Sequence, residues 1–304
     1  MKAKQSLGLA LATLFMTLAF SGTASAQTTP PPGTVLDANT LGLTADAGSQ
    51  PIGFDPFDPT VNGSWAQTFT AESSGKVAAV EVQAARGTDG SSPLLVRLLA
   101  LNGSGAPTEA NVLASAEIPA SEVPENTDGR VRAFFPTPPT VAAGTGYAIA
   151  LSTAQDTYYG WALSTTSSAP GPYGGGGPFY KRNDGPWDAV FPQIDAIFGV
   201  YMVDPNNTAP VISPISPRPG SMTLDRTPTI RATVRDDSGD LTPSRIRLSV
   251  DGKPRSFSYT AGTLDRLTRT LPLAPGRHTV SVSSTDPFGE SATRSWSFTI
   301  KKRR

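Results

Sequence analysis

The sequence predicts an all-β chain built as two consecutive sandwiches. Apolar residues alternate with polar ones at period 2 in about nine short runs before residue 203 and seven after residue 211, and no 12-residue stretch holds a helical period. Gly and Pro make up 58 of the 304 residues, near 19% against an average of about 12%, and they fall at turn-like intervals. The charge also changes sign along the chain. Residues 27–204 hold 7 Lys+Arg and 17 Asp+Glu, a net of −10; residues 205–304 hold 16 and 8, a net of +8. Two neighbouring blocks of opposite sign predict two domains.

The chain opens with Lys2 and Lys4, an apolar run over 7–20, and the small residues Ala24-Ser25-Ala26. A basic start, a short apolar centre and an A-x-A ending predict a secretory signal peptide over 1–26, cleaved after Ala26. The run is too short to span a bilayer. The mature chain is expected outside the cytoplasm, secreted or at the cell surface, with no transmembrane segment. Residues 27–33 are a polar, Pro-rich lead. The chain has no cysteine, which excludes disulfides, thiol nucleophiles and thiolate metal sites. A single histidine, His278, excludes a zinc site of two or three imidazoles.

The first domain is expected over 34–203. Trp65, Gln67 and Phe69 share one face of a strand over 64–70, and Ala78, Val80 and Val82 line the next. The run 94–101 is apolar on both faces except at Arg97, which reads as a central strand. Strands are expected over 112–118, 131–135, 147–151, 158–163 and 179–182. In the run 196–202, Ala196, Phe198, Val200 and Met202 alternate. Nine strands joined by loops of uneven length favour a jelly-roll-like β-sandwich over a helix-flanked parallel sheet. The segment 204–210 holds two prolines and two asparagines and reads as a linker.

The second domain is expected over 211–300, followed by a basic tail over 301–304. Ile230, Ala232 and Val234 alternate, as do Ile246, Leu248 and Val250. Asp251-Gly252 follows directly, a strong hairpin signal. Phe257 and Tyr259 belong to the return strand; runs over 264–271 and 277–285 come next, and Trp296, Phe298 and Ile300 close the domain. Seven strands in about 90 residues is Ig-like spacing.

Specific residues carry two resemblances. Asn207-Thr208-Ala209-Pro210-Val211-Ile212, Val250-Asp251-Gly252, Pro275-Gly276-Arg277-His278-Thr279-Val280 and Thr285-Asp286-Pro287-Phe288-Gly289 make the second domain similar to Ig-like domains of bacterial secreted and surface proteins. That resemblance implies a spacer, stalk or adhesive module. Ala66-Gln67-Thr68-Phe69-Thr70-Ala71, the run 141–151, Tyr158-Tyr159-Gly160-Trp161 and Asn183-Asp184-Gly185-Pro186-Trp187 make the first domain resemble choice-of-anchor, carbohydrate-binding-module-like jelly rolls of bacterial exported proteins. It implies no catalytic residues. The chain departs from wall-anchored proteins in carrying no L-P-x-T-G signal, so a covalent wall anchor is not expected.

Candidate sites follow. Tyr158, Tyr159, Trp161, Tyr173, Phe179, Tyr180 and Trp187 form an aromatic group around the glycine run 174–177. Aromatic faces stack on sugar C–H faces, and nearby Asp or Asn can bond hydroxyls. Tyr173, Tyr180, Asp184 and Trp187 are the candidate ligand-binding residues, on loops where function concentrates; the competing reading is core packing, above all for Trp161. The glycine run lacks the GK[ST] ending of a phosphate loop. Asp236, Asp237 and Asp240 could offer oxygens to calcium, with Asp286 near the same end, although an EF-hand glutamate is missing; an ordinary polar turn is the alternative. His278 reads as structural, because no nucleophile-elbow sequence accompanies it. The acids show no motif of a glycosidase pair. The basic half suits anionic surfaces or simply decorates a solvent face. The reading is a non-catalytic secreted protein that recognises a glycan or another cell-envelope component, not nucleic acid. A carbohydrate-active enzyme is the alternative; a purely structural envelope component, which predicts Tyr173 and Trp187 both buried, is a third reading.

Overall fold

The computed structural model describes residues 29–55, 58–88, 91–154, 156–239, 241–260 and 266–302. The signal peptide expected over 1–26 lies outside the described residues, as do Asp240 of the acidic run and the last two residues of the basic tail. Among the described residues, helix is limited to two 3-10 turns, Ala120–Glu122 and Pro243–Arg245. No described helix is long and apolar enough to cross a membrane.

The first half holds β1 (Thr34–Asn39), β2 (Ser49–Asp55), β3 (Asp58–Thr70), β4 (Gly75–Arg86) and β5 (Leu94–Leu101). Then come β6 (Pro107–Ile118), β7 (Gly129–Phe134), β8 (Thr140–Val141), β9 (Gly146–Ser152) and β10 (Tyr158–Thr165). β11 (Pro178–Arg182), β12 (Asp188–Ala189), β13 (Ile194–Ala196) and β14 (Phe198–Val203) complete it. The main order is β1-β14-β4-β10-β2-β3-β9-β5-β6, with β7 and β8 on β4, β11 on β3, β12 on β11 and β13 on β10. Every pair is antiparallel.

Residues from both ends of this order meet in one core. Val80, Val82, Val131 and Phe198 pack with Phe69, Leu98 and Ile149, and with Tyr159, Trp161 and Leu163 of β10. Trp161 is 1% exposed and its Nε1 donates to the Ile197 carbonyl at 2.9 Å, so the core reading holds for it. The run 196–202 is interrupted: β13 pairs with β10, β14 pairs with β4, and Ile197 turns between them. Its outward residues are buried too. Ile197 and Tyr201 cluster with Leu41, Ala79 and Ala162 on the far side of the sheet.

The second half holds β15 (Val211–Ser216), β16 (Met222–Thr223), β17 (Thr229–Arg235), β18 (Ile246–Val250) and β19 (Lys253–Pro254). β20 (Ser258–Thr260), β21 (Arg266–Thr270), β22 (Gly276–Thr285) and β23 (Ser291–Ile300) follow. They form a four-stranded sheet, β15-β17-β21-β20, and a five-stranded one, β16-β23-β22-β18-β19. Ile230, Ala232 and Val234 of one sheet meet Leu248, Val280, Val282, Trp296 and Phe298 of the other, in a core that shares no residue with the first. The Asp251-Gly252 turn has φ of +51° and +73°, the double positive φ that a two-residue hairpin loop requires. The return strand is shorter than expected. It ends at Pro254, and Tyr259 belongs to β20 in the opposite sheet.

Candidate functional site

Strand β11 decides where the predicted aromatic residues go. Phe179 lies opposite Ala66, Tyr180 opposite Trp65 and Lys181 opposite Ser64. Side chains alternate across a strand, so Tyr180 turns to the core, where its ring lies 5.3 Å from that of Trp65. Phe179 and Lys181 turn to the outer face, and Trp187 joins them there. Its indole covers Ala66, Leu99, Ala148 and Ala150 and is only 9% exposed. Lys181 Nζ stands 5.3 Å from the indole centre and donates to Glu109 at 2.9 Å; Arg97 bonds the same carboxylate. Burial works to raise the Glu109 carboxyl, but the Lys181 bond and the Arg97 charge outweigh it and hold it low. The Trp187 N–H faces this carboxylate without reaching hydrogen-bond geometry. Tyr180 and Trp187 thus occupy opposite faces of one sheet, and the aromatic group read from the sequence is divided in two. Trp187 is a cover on the sheet, not an open loop residue.

Tyr173 belongs with Tyr180. Its ring meets Phe198 edge-on at 5.3 Å and 88°. Phe198 lies 6.1 Å from Phe69, which shares a face of β3 with Trp65. The two tyrosines therefore flank one face of β3, both half-buried against the core margin. The glycine run ties them together. Thr68 N donates to Gly177 O at 2.9 Å, Gly177 N to Thr68 Oγ1 at 2.8 Å, and Thr70 Oγ1 to Gly175 O at 2.9 Å. A Cβ at Gly176 would stand 2.0 Å from the Thr68 carbonyl oxygen. The run serves close backbone approach. Asp184 sits apart and exposed, in the turn that Gly185 N closes on Arg182 O at 2.9 Å.

Beneath Tyr173 lies a buried pair that sequence reasoning missed. Gln67 Nε2 donates to Asp195 Oδ1 at 2.7 Å, Tyr173 N donates to Asp195 Oδ2 at 2.9 Å, and Ala196 N donates to Gln67 Oε1 at 2.9 Å. Burial pushes the Asp195 carboxyl up, and the two bonds recover only part of that cost. The signal was present: Asp195 is a lone acid between Ile194 and Ala196 in an apolar run. Glu81 was missed in the same way. It is fully buried on the outer face of β4, bonded by Arg132, 3.8 Å from Arg130 and bonded by the Tyr201 hydroxyl at 3.2 Å. Arg132 also donates to Thr29 O at 2.9 Å, which anchors the Pro-rich lead on this face.

The acidic run bonds within its own turn and to the linker. Asp236 accepts bonds from Ser238, and Asp237 Oδ2 accepts from Thr208 N at 3.1 Å and Thr208 Oγ1 at 2.9 Å. Asp286 Oδ2 accepts from Asn207 Nδ2 at 2.7 Å. Burial and the neighbouring Asp286 and Asp237 charges push Asp236 up. Among the described residues, no three acidic or histidine side chains gather as a metal site. These are the bonds of a polar turn: Asp236 holds Ser238 within the turn, and Asp237 holds the linker at Thr208. Asp204 N donates to Gly33 O at 2.9 Å, and Gly33, at φ +71°, backs onto Phe288, where an added Cβ would approach Cε2 to 2.7 Å. Lead, linker and two loops of the second sandwich close into one joint.

His278 is structural as read. Nδ1 lies 2.8 Å from Asp251 Oδ2 and Nε2 lies 2.7 Å from Ala274 O. A carboxylate and a carbonyl only accept, so the protonated ring, with both nitrogens donating, is the form that satisfies both partners. Burial opposes that charge, but the Asp251 and Ala274 bonds outweigh it and raise the imidazole. Neither nitrogen is left to take a proton from a hydroxyl.

No family model matches the chain, and no curated protein matches it. Among solved structures, dimeric latent PorU from Porphyromonas gingivalis is similar at 15% identity over 90% of this chain, with a TM-score of 0.26. The chain spans 24% of that protein's length.

Proposed function

We propose that the mature chain is an exported, non-catalytic binding protein. The first sandwich recognises a glycan or another cell-envelope component, and the second acts as a spacer set at a fixed joint. One observation carries this reading. Tyr173 and Tyr180 are half-buried and not closed over, with a glycine strap beside them and the Trp65 and Phe198 rings packed against them. Pre-positioned aromatic faces bind without the entropic cost of ordering a loop, and exposed Asp184 offers hydroxyl-bonding oxygens on a separate turn. Trp187 contributes stability instead of contact.

The test is retention of the mature chain on a panel of insoluble polysaccharides and purified cell-envelope sacculi. Tyr180→Ala and Tyr173→Ala are expected to lose retention at unchanged helix-free circular dichroism, and Asp184→Ala to weaken it. Trp187→Ala is expected to lower the melting temperature while the folded fraction still binds. Equal retention of Tyr180→Ala, Tyr173→Ala and the parent would discard the site.

A further inference from the structure

Charge is not spread evenly over the second sandwich. β22 and β23 are ten residues each and pair from Thr285↔Ser291 at one end to Gly276↔Ile300 at the other, ends about 30 Å apart. The Thr285 end is the joint, and it holds acids. Asp286 accepts from Asn207 Nδ2 at 2.7 Å and from Glu290 N at 2.8 Å, Asp237 accepts from Thr208, and Asp236 lies near both carboxylates. The free end is basic. Lys301 N donates to Thr223 O at 2.8 Å, Ser221 N to Arg218 O at 3.0 Å and Leu273 N to Arg226 O at 2.7 Å. These bonds gather Arg218, Arg226, Lys301 and Lys302 around β16, whose Thr223 lies opposite Ile300. All four are exposed, and among the described residues none of them stands in an ion pair. The acids nearby are engaged: Asp225 accepts from Thr227 N at 2.8 Å and Thr227 Oγ1 at 3.0 Å, and Asp251 faces His278. The same end leaves two large apolar residues in water. Met222 is 65% exposed and Leu224 53%. Met222 lies opposite Thr299, and Leu224 follows two residues on.

We infer that this free end seats on an anionic lipid bilayer, with Met222 and Leu224 entering the headgroup boundary and Arg218, Arg226, Lys301 and Lys302 binding lipid phosphates. Exposed apolar side chains set among cations are the chemistry of a peripheral membrane contact. A soluble polyanion would use the cations alone and leave Met222 and Leu224 in water. A bilayer takes both: the apolar side chains gain by leaving water, and each cation adds attraction to the charged surface. Distance decides what the remaining charges do. The acids of the joint lie about 30 Å from the basic end, several times the Debye length of about 8 Å at physiological salt, so they do not oppose binding. The first sandwich, with a net of −10 over 27–204, lies beyond the joint. The change of sign along the chain places cations at the membrane and holds the acidic half away from it. Arg303 and Arg304 extend the basic run in sequence. This contact goes beyond a spacer role and uses neither Tyr173 nor Tyr180.

The experiment is co-sedimentation of residues 27–304 with vesicles of equal parts phosphatidylglycerol and phosphatidylcholine. Pure phosphatidylcholine vesicles and soluble polyphosphate serve as comparisons. The parent is expected to sediment with the anionic vesicles and not with the neutral ones. Met222→Ser combined with Leu224→Ser keeps every charge; it is expected to weaken vesicle binding about tenfold and to leave polyphosphate binding unchanged. Lys301→Ser combined with Lys302→Ser is expected to weaken both by about tenfold. Arg247→Ser removes a cation opposite Ser283, near the joint, and is expected to change vesicle binding by less than about twofold. Leu224→Trp is expected to shift indole emission to the blue on anionic vesicles. These positions are all exposed, so melting temperatures are expected to stay at the parent value. A parent that ignores anionic vesicles, an indole that keeps its solvent emission on them, or an equal loss from Arg247→Ser would overturn the membrane seat. Vesicle binding indifferent to the Met222 and Leu224 changes would overturn it too, in favour of a soluble polyanion.

Discussion

The two sandwiches solve the same problem with opposite use of their outer faces. In the second, one face of each strand is dry and the other wet. Ser249, Ser281 and Ser295 stand in one row across β18, β22 and β23 on the solvent side, while Val250, Val282 and Trp296 pack inside. Its arginines go to carbonyls and hydroxyls: Arg226 to Leu273 O, Arg245 to Asp286 O, Arg294 to Ile212 O and Arg277 to Ser297. In the first, outer faces are covered as well. Leu41 closes over Ala79, Ala162 and Tyr201, and Trp187 closes over Ala66, Ala148 and Ala150. Six of its seven cations, all but Lys76, stand in ion pairs. A sheet with one wet face shows its alternation in sequence; a sheet covered on both sides hides part of it.

The largest break in this comparison is expected at the first core. Trp161→Ala removes a fully buried indole and its bond to Ile197 O, and is expected to cost about 3–5 kcal/mol in chemical denaturation. Close behind is Glu81→Ala, which strips a buried carboxylate from two guanidiniums; about 3 kcal/mol is expected, because the arginines can partly reach water. A matching change on the second sandwich, Ser281→Ala on its open face, is expected to stay within about 0.5 kcal/mol. A loss at Ser281 as large as that at Glu81 would erase the distinction between covered and open faces.

How much was legible follows from the same physics. The all-β class, the Asp251-Gly252 hairpin and most second-half strands were readable because one face was polar; Trp161 read as core although β10 is buried on both faces. β2 was not readable: Pro51 and Gly53 break its pattern, yet it pairs with β10 and β3 on its two sides. Trp187 looked like a loop aromatic because Gly185-Pro186 precedes it. Its bed, Ala148 and Ala150 alternating within β9, lies almost forty residues away and gave no local hint. The bond from Thr208 to Asp237 was not readable, because the two residues lie 29 positions apart. Glu81 and Asp195 were visible as lone acids in apolar runs, and that pattern marks a buried, bonded carboxylate.

Smaller effects sharpen the picture of the joint and the hairpin. Gly33→Ala must adopt φ +71° and push Phe288 aside; about 1–3 kcal/mol is expected, with earlier proteolysis in the linker near Asn206. At His278 the sign is set by a raised imidazole. The bonds to Asp251 and Ala274 stabilise fully below the ordinary histidine range and fade as pH rises through the raised value. Melting temperature between about pH 6 and 9 is therefore expected to fall further in the parent than in His278→Gln. A parallel fall in both would remove the charge from the account. The single imidazole also gives one clean titration by NMR, expected above the free-histidine midpoint.

Hydroxyl-radical footprinting of residues 27–304, alone and mixed with envelope sacculi, tests the proposed binding face most directly. Tyr173 and Tyr180 are expected to take label in the free chain and lose it in the complex, with Trp187 and Trp161 unlabelled in both states. Strong labelling of Trp187 that vanishes on binding, or tyrosine labelling that binding leaves unchanged, would contradict the account.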